Sequence, residues 1–367
     1  MITQEQFQAL LSFEPGEQQV LSLYLNTDSG QESIEAIKLK AKNLLREADC
    51  LEADVQAVET YLNHSFDWKS PGLALFSSQG GTYFEPFPTA VSFRNRLRLA
   101  PKPYLKPLGH LLDHYAHYGV ILVDKVGARF FAYHLGELQD SEGIMGDEIH
   151  KLKDGRGSSA IGRRGGTGGA SREEEAARRN LREAASAAAD FFHSHPIRRL
   201  FLGGTAENTA QFRDLLPKQM QSCLAGTFAI DMNAGEHEVR QAALQLLQTA
   251  NAEREKKLVK SLLGAAQASG GTAVLGLDDT LQAISNRRVQ TLVISDGFRL
   301  PGYVDYNSGF VVANLAKSPL SDNELTAVDD VVDSAFTLSL NQGAHVEVIR
   351  DDPDLDNAGK IGALLRF

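Results

Sequence analysis

The sequence predicts a mixed α/β and α+β fold that is divided over three domains. A length of 367 residues exceeds what one ordinary hydrophobic core holds. Strand-like and helix-like hydrophobic patterns alternate along most of the chain, which is typical of α/β architectures. Two interruptions divide the pattern: the proline-rich run Pro101–Pro107 and a charged helix predicted over Asn251–Lys260. We therefore expect domains at residues 1–113, 114–250 and 251–367.

Alternating and helical patterns define the first segment. Val20–Asp28 (VLSLYLNTD) has the apolar alternation of a half-buried strand, and the spacings between Ile34 and Asn63 are helical. Gly72–Ser78 and Thr89–Ala100 are also predicted to be strands. Pro101–Pro107 cannot continue a strand ladder, so we expect a linker or a hinge there.

The middle segment alternates strands with helices. Tyr118–Leu138 predicts two strands joined by a turn around Asp124–Gly127. A helix is expected to end at about Phe192, before His195-Pro196. Arg198–Gly204 then predicts a strand, AENTAQFRDLLP a helix and GTFAIDM another strand.

The third segment predicts one α/β/α layer domain of about 110 residues. Its first part reads helix, glycine loop, helix and strand up to Phe298, and VVDSAFTLSLNQGAHVEVI adds a helix and a strand. Asp278-Asp279 is typical of the first turn of a helix, where the helix dipole favours acids. Arg350–Asp356 (RDDPDLD) is expected to be a solvated loop.

Composition limits the kinds of partner that the protein can bind. The 43% of hydrophobic and 23% of charged residues are those of an ordinary globular protein. A net charge of -10 argues against a protein that coats nucleic acid with its whole surface. One local basic element would still suffice for RNA binding, because phosphate contacts are local.

Nothing in the sequence predicts export or a membrane span. The N-terminus has neither a basic region nor a long apolar run, and no stretch approaches the roughly 18 apolar residues of a membrane helix. Cys50 and Cys223 fit no disulfide framework, which suits a reducing compartment. We expect a cytoplasmic protein with no membrane partner.

The most unusual run is rich in glycine and arginine. Almost half of the residues from Gly155 to Ala170 are glycines, and Arg156, Arg163 and Arg164 lie among them. From Lys153 to Arg182, eight basic and four acidic side chains give this run a net charge of +4. Because the whole chain has a net charge of -10, the remaining residues carry -14. Glycine lets a backbone approach phosphate closely, and arginine donates to phosphate oxygens. The run therefore predicts phosphate contacts, with a solvated surface loop as the alternative.

A helix with a buried alanine-rich stripe follows this run. The expected stripe consists of Leu181, Ala184, Ala185, Ala188, Phe191 and Phe192. Glu174 and Glu175 lie four residues before Arg178 and Arg179, a spacing that predicts ion pairs along the helix. The candidate RNA-binding residues are Arg156, Arg163, Arg164, Arg172, Arg178, Arg179 and Arg182.

Cofactor and metal sites are not predicted. The phosphate-loop pattern G-x-x-x-x-G-K-[ST] is absent, and Gly166-Thr167-Gly168 matches only the start of a dinucleotide fingerprint. His110 and His114 lie four apart on a predicted helix, a spacing that can chelate zinc, and His117 follows. The run HLLDHYAH lacks the glutamate of H-E-x-x-H, so we expect a solvated or core-edge histidine cluster without a metal ion.

The chain resembles the archaeal and eukaryotic class I peptide chain release factors and Pelota. Gly168-Gly169-Ala170-Ser171, with arginines behind it, is similar to their Gly-Gly-Gln-Ser tip and the helix that follows. Gly276–Phe298 and Val331–Ile349 resemble the C-terminal domain of these factors. VLSLYLNTD, GLALFSS and LRLAPKPYLKPL resemble the N-terminal domain of bacterial members. The resemblance implies a three-domain release-factor-like architecture with a C-terminal α/β/α domain of the release-factor and Pelota type.

This resemblance also implies a tip made of Gly168, Gly169 and Ala170. In the family the tip enters the peptidyl transferase centre, where a backbone amide stabilises the oxyanion and the glutamine helps to admit water. Here Ala170 replaces the glutamine, or Thr167 does if Gly165-Gly166 is the equivalent pair. The family's codon-reading Asn-Ile-Lys-Ser is also absent from the first segment.

The function implied is that of a ribosome-binding translation factor in peptide release, ribosome rescue or ribosome protection, without stop-codon decoding. We expect at most assistance to peptidyl-tRNA hydrolysis by the ribosome, and no enzyme activity without it. The implied partners are ribosomal RNA, peptidyl-tRNA and a translational GTPase, which would bind the C-terminal domain. The alternative is an RNA-binding or protein-interaction module that kept this architecture away from the ribosome.

Overall fold

The computed structural model describes residues 2–16, 18–48, 50–146, 168–268, 270–305, 308–314 and 325–367, without the side chains of residues 4 and 168–173. Two compact units make up the chain. One unit combines Met1–His114 with Ala252–Phe367, and the other is Tyr115–Asn251. The division of the first unit into an N-terminal and a C-terminal domain stays a prediction.

The first segment forms a four-stranded antiparallel sheet with helices packed on it. Its elements are α1 (Gln4–Leu11), β1 (Val20–Asn26), α2 (Ile34–Glu47), α3 (Glu52–Thr60, continued by a π turn at Tyr61–Ser65), β2 (Gly72–Ser78), β3 (Tyr83–Thr89), β4 (Arg96–Ala100) and α4 (Lys106–His114). The strand order is β3-β2-β1-β4. The strands predicted around VLSLYLN and GLALFSS are confirmed.

One prediction for this segment is confirmed and another is wrong. The helical pattern from Ile34 to Asn63 forms helices, which are divided into α2 and α3. Asp54 on α3 accepts hydrogen bonds from Ser77 Oγ at 2.6 Å and Gly81 N at 2.8 Å. Thr89–Ala100 is not one strand, since β3 and β4 lie at opposite edges of the sheet and residues 90–95 have to cross it.

The proline-rich run ends β4, as predicted, but it is neither an exposed linker nor a hinge. Tyr104, Leu105 and Lys106 are buried, and Pro107 lies in the first turn of α4, where proline is tolerated. The Tyr104 carbonyl accepts a hydrogen bond from Tyr24 Oη at 2.5 Å, and its amide donates to Ser22 Oγ at 3.0 Å. This segment is therefore fixed to β1.

The middle unit is an α/β layer built on a five-stranded sheet. Its elements are β5 (Tyr118–Val123), β6 (Gly127–His134), β7 (Glu137–Met145), α5 (Gly168–Ser194), β8 (Arg199–Gly203), α6 (Ala206–Leu215), α7 (Lys218–Ser222), β9 (Leu224–Phe228) and the first half of α8 (Glu236–Gln267). The order is β7-β6-β5-β8-β9, with parallel pairing of β5 with β8 and of β8 with β9. The predicted β5–β6 hairpin is confirmed, and Asp124 Oδ1 accepts from the amides of Val126 and Gly127 at its turn. Strand β7 was not predicted, because its edge position leaves most of it exposed and without apolar alternation.

The third segment follows the second half of α8 and contains two sheets. Its elements are β10 (Ala273–Leu275), α9 (Leu277–Ser285), β11 (Val289–Ser295), β12 (Gly302–Asp305), β13 (Phe310–Val312), β14 (Thr326–Val328), α10 (Val331–Asn341), β15 (His345–Ile349), α11 (Pro353–Asn357) and β16 (Ile361–Leu365). The sheets have the orders β10-β16-β11-β15 and β13-β12-β14. Asp278-Asp279 lies in the first turn of α9, as predicted. The loop expected at Arg350–Asp356 is partly helical, because Asp352 caps α11 and Leu355 is fully buried.

Within the first unit, charged side chains join the first segment to the third. Arg96 on β4 donates two hydrogen bonds to Asp296, after β11, each at 3.0 Å. The Asp296 side chain is only 8% exposed. Burial raises the pKa of Asp296, but the hydrogen bonds and charge of Arg96 outweigh burial and lower it below its usual range. This partly buried ion pair therefore holds the first segment against the third.

A second charged group lies nearby. Lys106 Nζ, on a buried side chain, lies 3.4 Å from Asp330, which caps α10. Burial raises the pKa of Asp333, one turn into α10, to about 7 although Lys106 opposes the rise. The buried Asp333 Oδ1 accepts no hydrogen bond among the described residues.

The substitution Asp296→Ala should destabilise the protein by roughly 2–4 kcal/mol, because it leaves the Arg96 guanidinium partly buried without a counter-ion. The matched control is Glu59→Ala, which removes a carboxylate 3.8 Å from Lys42 on the surface of the same unit and should cost at most about 0.5 kcal/mol. Urea denaturation of both variants measures the difference. Equal effects would contradict the role of the Arg96–Asp296 pair.

Asp333 should make the protein less stable as the pH rises from about 4 to about 7. The folded state holds the Asp333 proton more tightly than the unfolded state, so raising the pH through this window removes stability. We expect Asp333→Asn to be more stable than the parent by roughly 1–3 kcal/mol at pH 8, with a much smaller gain at pH 4.5. Thermal unfolding at both pH values is the measurement. Asp279→Asn, at an exposed position in α9, is the control and should show no comparable pH dependence.

Candidate nucleic-acid interface

Helix α5 presents arginines on the face that points away from the middle sheet. Arg178, Arg179 and Arg182 are exposed and lie one and four residues apart, so they share one side of the helix. The predicted apolar stripe is confirmed on the opposite side, where it packs on β5, β6 and β8; its members are Leu181, Ala184, Ala185, Ala188, Phe191 and Phe192. The packing of this stripe fixes the direction of the arginines.

The sheet accepts α5 closely at both ends of the stripe. Gly119 on β5 makes room for Phe192, since a Cβ at this glycine would lie 2.6 Å from the Phe192 ring. Near the other end, Asn180 is buried and donates from Nδ2 to the Lys125 carbonyl in the β5–β6 turn at 3.2 Å. The helix ends at Ser194, before His195-Pro196 as predicted. Its arginine-bearing half is therefore attached to a tight hairpin.

The tip differs from the predicted loop. Gly168, Gly169 and Ala170 form the first turn of α5, so the helix begins earlier than expected. The alanine-, glutamate- and arginine-rich sequence that follows favours helix strongly enough to include two glycines at its end. Nothing is described of the side chains of Ala170 and Arg172. Arg156, Arg163 and Arg164 lie outside the described residues, as does Thr167.

The described part of α5 is not strongly basic by itself. Glu174, Glu175 and Glu183 are exposed on the same helix, and their charges offset those of the candidate RNA-binding residues Arg178, Arg179 and Arg182. The ion pairs of Glu174 with Arg178 and of Glu175 with Arg179 stay predictions. The predicted net charge of +4 between Lys153 and Arg182 thus depends on Lys153, Arg156, Arg163 and Arg164, which lie outside the described residues.

The histidines occupy two separate places. His110 and His114 lie on α4 as predicted, but both are buried, with ring centroids 3.8 Å apart, and they are not solvated. The apolar face of α4 carries them into the core. His117 does not join them and stacks on His134, with ring centroids 4.0 Å apart. Burial lowers the pKa of His134 to about 4.

Acidic residues from distant segments surround the α4 pair. Arg254 on α8 makes short ion pairs with Asp113 and with Glu347 on β15. Burial raises the pKa of Glu347, but the nearby His114 ring, the contact with His345 at 2.8 Å and the charge of Arg254 outweigh burial and hold that pKa well below its usual range.

Glu255, next to Arg254 on α8, completes the surroundings of the α4 pair. It lies with Oε1 3.2 Å from His114 Nε2, and burial raises its pKa. The four-residue histidine spacing was visible in the sequence, whereas Glu255 and Glu347 are more than a hundred residues away and carried no local signal.

No helix within the described part of the chain is both long enough and apolar enough to span a membrane.

Residues 103–248 match the model of the family described as bacterial archaeo-eukaryotic release factor family 10. The matched range contains nearly all of the middle unit, including α5 and its arginines. The chain is also 27% identical over 192 residues to peptide chain release factor subunit 1 of Thermoplasma acidophilum. That alignment covers 47% of this chain and 46% of the relative, so the chain spans about half the length of the curated relative that it matches.

Solved structures of similar proteins include archaeal translation termination factor aRF1, at 14% identity and a TM-score of 0.27, covering 99% of this chain and 96% of that one. Saccharomyces cerevisiae Dom34, described as a translation termination-like factor that interacts with Hbs1, is 11% identical with a TM-score of 0.43, covering 83% and 81%. Archaeal Pelota in a ribosome-bound model with ABCE1 is 12% identical with a TM-score of 0.42, covering 100% and 94%. All three TM-scores lie below 0.5.

Proposed function

We propose that this release-factor- and Pelota-like protein is a ribosome-binding translation factor that acts in ribosome rescue, ribosome protection or peptide release. The observation that carries the proposal is the family match over residues 103–248, which includes the glycine–arginine run and the arginine-bearing half of α5. Such a factor would act in the cytoplasm, where ribosomes are.

The geometry of α5 suits contacts with RNA phosphates. Arg178, Arg179 and Arg182 project from a helix whose other side is buried, so little backbone entropy has to be lost when they bind. Guanidinium groups donate two hydrogen bonds to a phosphate in a fixed geometry. We assign these three arginines to phosphates of ribosomal RNA or tRNA, together with Arg156, Arg163, Arg164 and Arg172 of the preceding run.

The residues of the tip, Gly168, Gly169 and Ala170, bear on whether the protein acts in rescue, protection or peptide release. In a release mechanism a backbone amide at the tip stabilises the oxyanion formed when peptidyl-tRNA is hydrolysed, and every residue except proline can provide it. Gly168, Gly169 and Ala170 keep this backbone, but Ala170 lacks the amide side chain that helps to admit water. We therefore place rescue or protection ahead of efficient release. No Asn-Ile-Lys-Ser sequence is present for reading stop codons.

The third segment is proposed to contact a translational GTPase, as the resemblance of Gly276–Phe298 and Val331–Ile349 to the C-terminal domain of release factors and Pelota implies.

A second candidate function is a protein-interaction or RNA-binding module that does not act on the ribosome. The observation that favours it is the even mixture of acids and arginines on the described face of α5, where Glu174, Glu175 and Glu183 are exposed. Such a mixed surface suits a protein partner of similar mixed charge. Binding to a purified protein or RNA without cosedimentation with ribosomes would support this function over the first.

The triple variant Arg178→Ala, Arg179→Ala and Arg182→Ala should bind ribosomes at least about tenfold more weakly at low salt, because three phosphate contacts are lost. The slope of log affinity against log salt should fall by about 2–3. Cosedimentation with 70S ribosomes whose A site is vacant, at several salt concentrations, measures both quantities.

The chain offers a matched control for this variant. Lys256, Lys257 and Lys260 are also exposed, lie on a long helix and have the same spacing as the three arginines. Their replacement by alanine changes the net charge equally and should leave ribosome affinity within about twofold. Equal losses of ribosome affinity in both triple variants would indicate that the arginines act only through the net charge of the protein. No loss of affinity in either variant would contradict the proposed interface.

Restoring the glutamine should convert the tip toward peptide release. We expect Ala170→Gln to raise the rate of peptide release from ribosomes carrying peptidyl-tRNA by about tenfold or more over the parent protein. Ser186→Gln, at an exposed position on the same helix, is the control and should have no effect. A rise with Thr167→Gln instead would place the tip at Gly165-Gly166. No rise with either variant would argue that the tip does not enter the peptidyl transferase centre.

A further inference from the structure

We propose that α4 and α8 bind one divalent transition-metal ion, with Zn²⁺ preferred, through His110, His114 and Glu255. One ligand atom from each of these residues lies within 4.8 Å of the other two. His114 Nε2 and Glu255 Oε1 are already 3.2 Å apart. Two ligands that share a tetrahedral Zn²⁺ at bond lengths of about 2.0–2.2 Å are separated by roughly 3.3–3.6 Å, so only small side-chain movements are needed to close the site.

The first ligand is oriented as metal-binding histidines usually are. His110 Nδ1 lies 3.1 Å from the carbonyl oxygen of Val348 on β15. A carbonyl only accepts, so Nδ1 carries the proton and Nε2 presents its lone pair to the site. A hydrogen bond of this kind from the second ring nitrogen fixes the tautomer and ring direction of a ligating histidine. His110 and His114 are 7% and 3% exposed, so neither ring rotates freely in solvent.

The charges of the cluster leave room for a cation. Arg254 and His345 lie against Asp113 and Glu347, so these two carboxylates have partners other than Glu255. Glu255 makes no ion pair with a lysine or arginine among the described residues, and its carboxylate lies against His114. A buried carboxylate needs a counter-ion or a proton. A metal ion between Glu255 and the two histidines supplies that charge, and protonation of His114 is the competing arrangement.

The ligand set also indicates the class of metal and its role. Two imidazoles and one carboxylate suit Zn²⁺ and its neighbours in the transition series, whereas Mg²⁺ and Ca²⁺ prefer oxygen ligands only. Leu111 stands where a metalloprotease of the H-E-x-x-H type has its glutamate base, and the histidines are buried. These three ligands leave the fourth position of a tetrahedral ion to a water molecule. The ion would tie α4, which follows the first sheet, to the second half of α8.

The test uses the full-length protein, first treated with a chelator and then dialysed. Titration with Zn²⁺ should show saturable binding of one equivalent and should raise the melting temperature. Excess Mg²⁺ should change neither the Zn²⁺ binding nor the melting temperature. Co²⁺ should give the visible absorption bands of a tetrahedral site with nitrogen and oxygen ligands. Glu255→Gln, which keeps the shape and a hydrogen-bonding oxygen, should weaken Zn²⁺ binding by about a hundredfold or more. His64→Gln removes an exposed histidine of the same unit and should change nothing.

Three results would overturn the site. The first is the absence of saturable binding by the folded parent protein. The second is binding that Glu255→Gln leaves unchanged, and the third is a loss of equal size in His64→Gln, which would indicate adventitious surface binding. Circular dichroism verifies that each variant is folded. If Glu255→Gln does not fold, His110→Asn is used in its place, and the chelator-dependent melting temperature of the parent tests the site without any variant.

Discussion

Charged side chains that are buried where residues 2–114 pack against residues 252–367 have to find partners inside the protein. Arg96 meets this requirement with two hydrogen bonds to Asp296, and Lys106 meets it with Asp330. A buried charge without a partner costs far more than an exposed one, so these pairs select one arrangement of β4 and α4 against the third segment. The same requirement explains why the proline-rich run is fixed: Tyr104 within it bonds to β1 on one side and to Arg96 on the other.

The middle unit meets a different constraint, the burial of a narrow apolar stripe. Alanines at the centre of the α5 stripe let the helix approach the sheet, and Gly119 provides the space for Phe192. A helix held in this way cannot rotate without exposing that stripe, and so the exposed position of Arg178, Arg179 and Arg182 follows from packing on the opposite side. The proposed RNA contact and the fold of this unit therefore depend on the same helix.

The two candidate sites differ in how far the sequence could predict them. The apolar stripe of α5 follows from helical periodicity, a local property, and its buried positions are confirmed, whereas RNA binding by the arginines stays a prediction. The His110–His114 spacing was equally visible, but the sequence did not decide between a solvated and a core-edge cluster, because burial depends on what covers α4. Glu255 and Glu347, which surround the pair, come from α8 and β15. The start of α5 at Gly168 was also missed, since helix propensity of the following residues overrides the local preference of glycine for a loop.

The sequence by itself determined the elements whose signals are local: the strands VLSLYLN and GLALFSS, the β5–β6 hairpin with Asp124 at its turn, and the apolar face of α5. It also determined the resemblance to release factors and Pelota, and the replacement of the tip glutamine by Ala170. Tertiary structure alone decided that residues 90–95 cross the first sheet, that β7 pairs at a sheet edge, and that Arg96, Asp296, His114 and Glu255 meet their partners. The physical reason is that periodicity records which side of an element is buried, whereas pairing between distant residues depends on how the elements pack, and no short stretch of sequence contains that information.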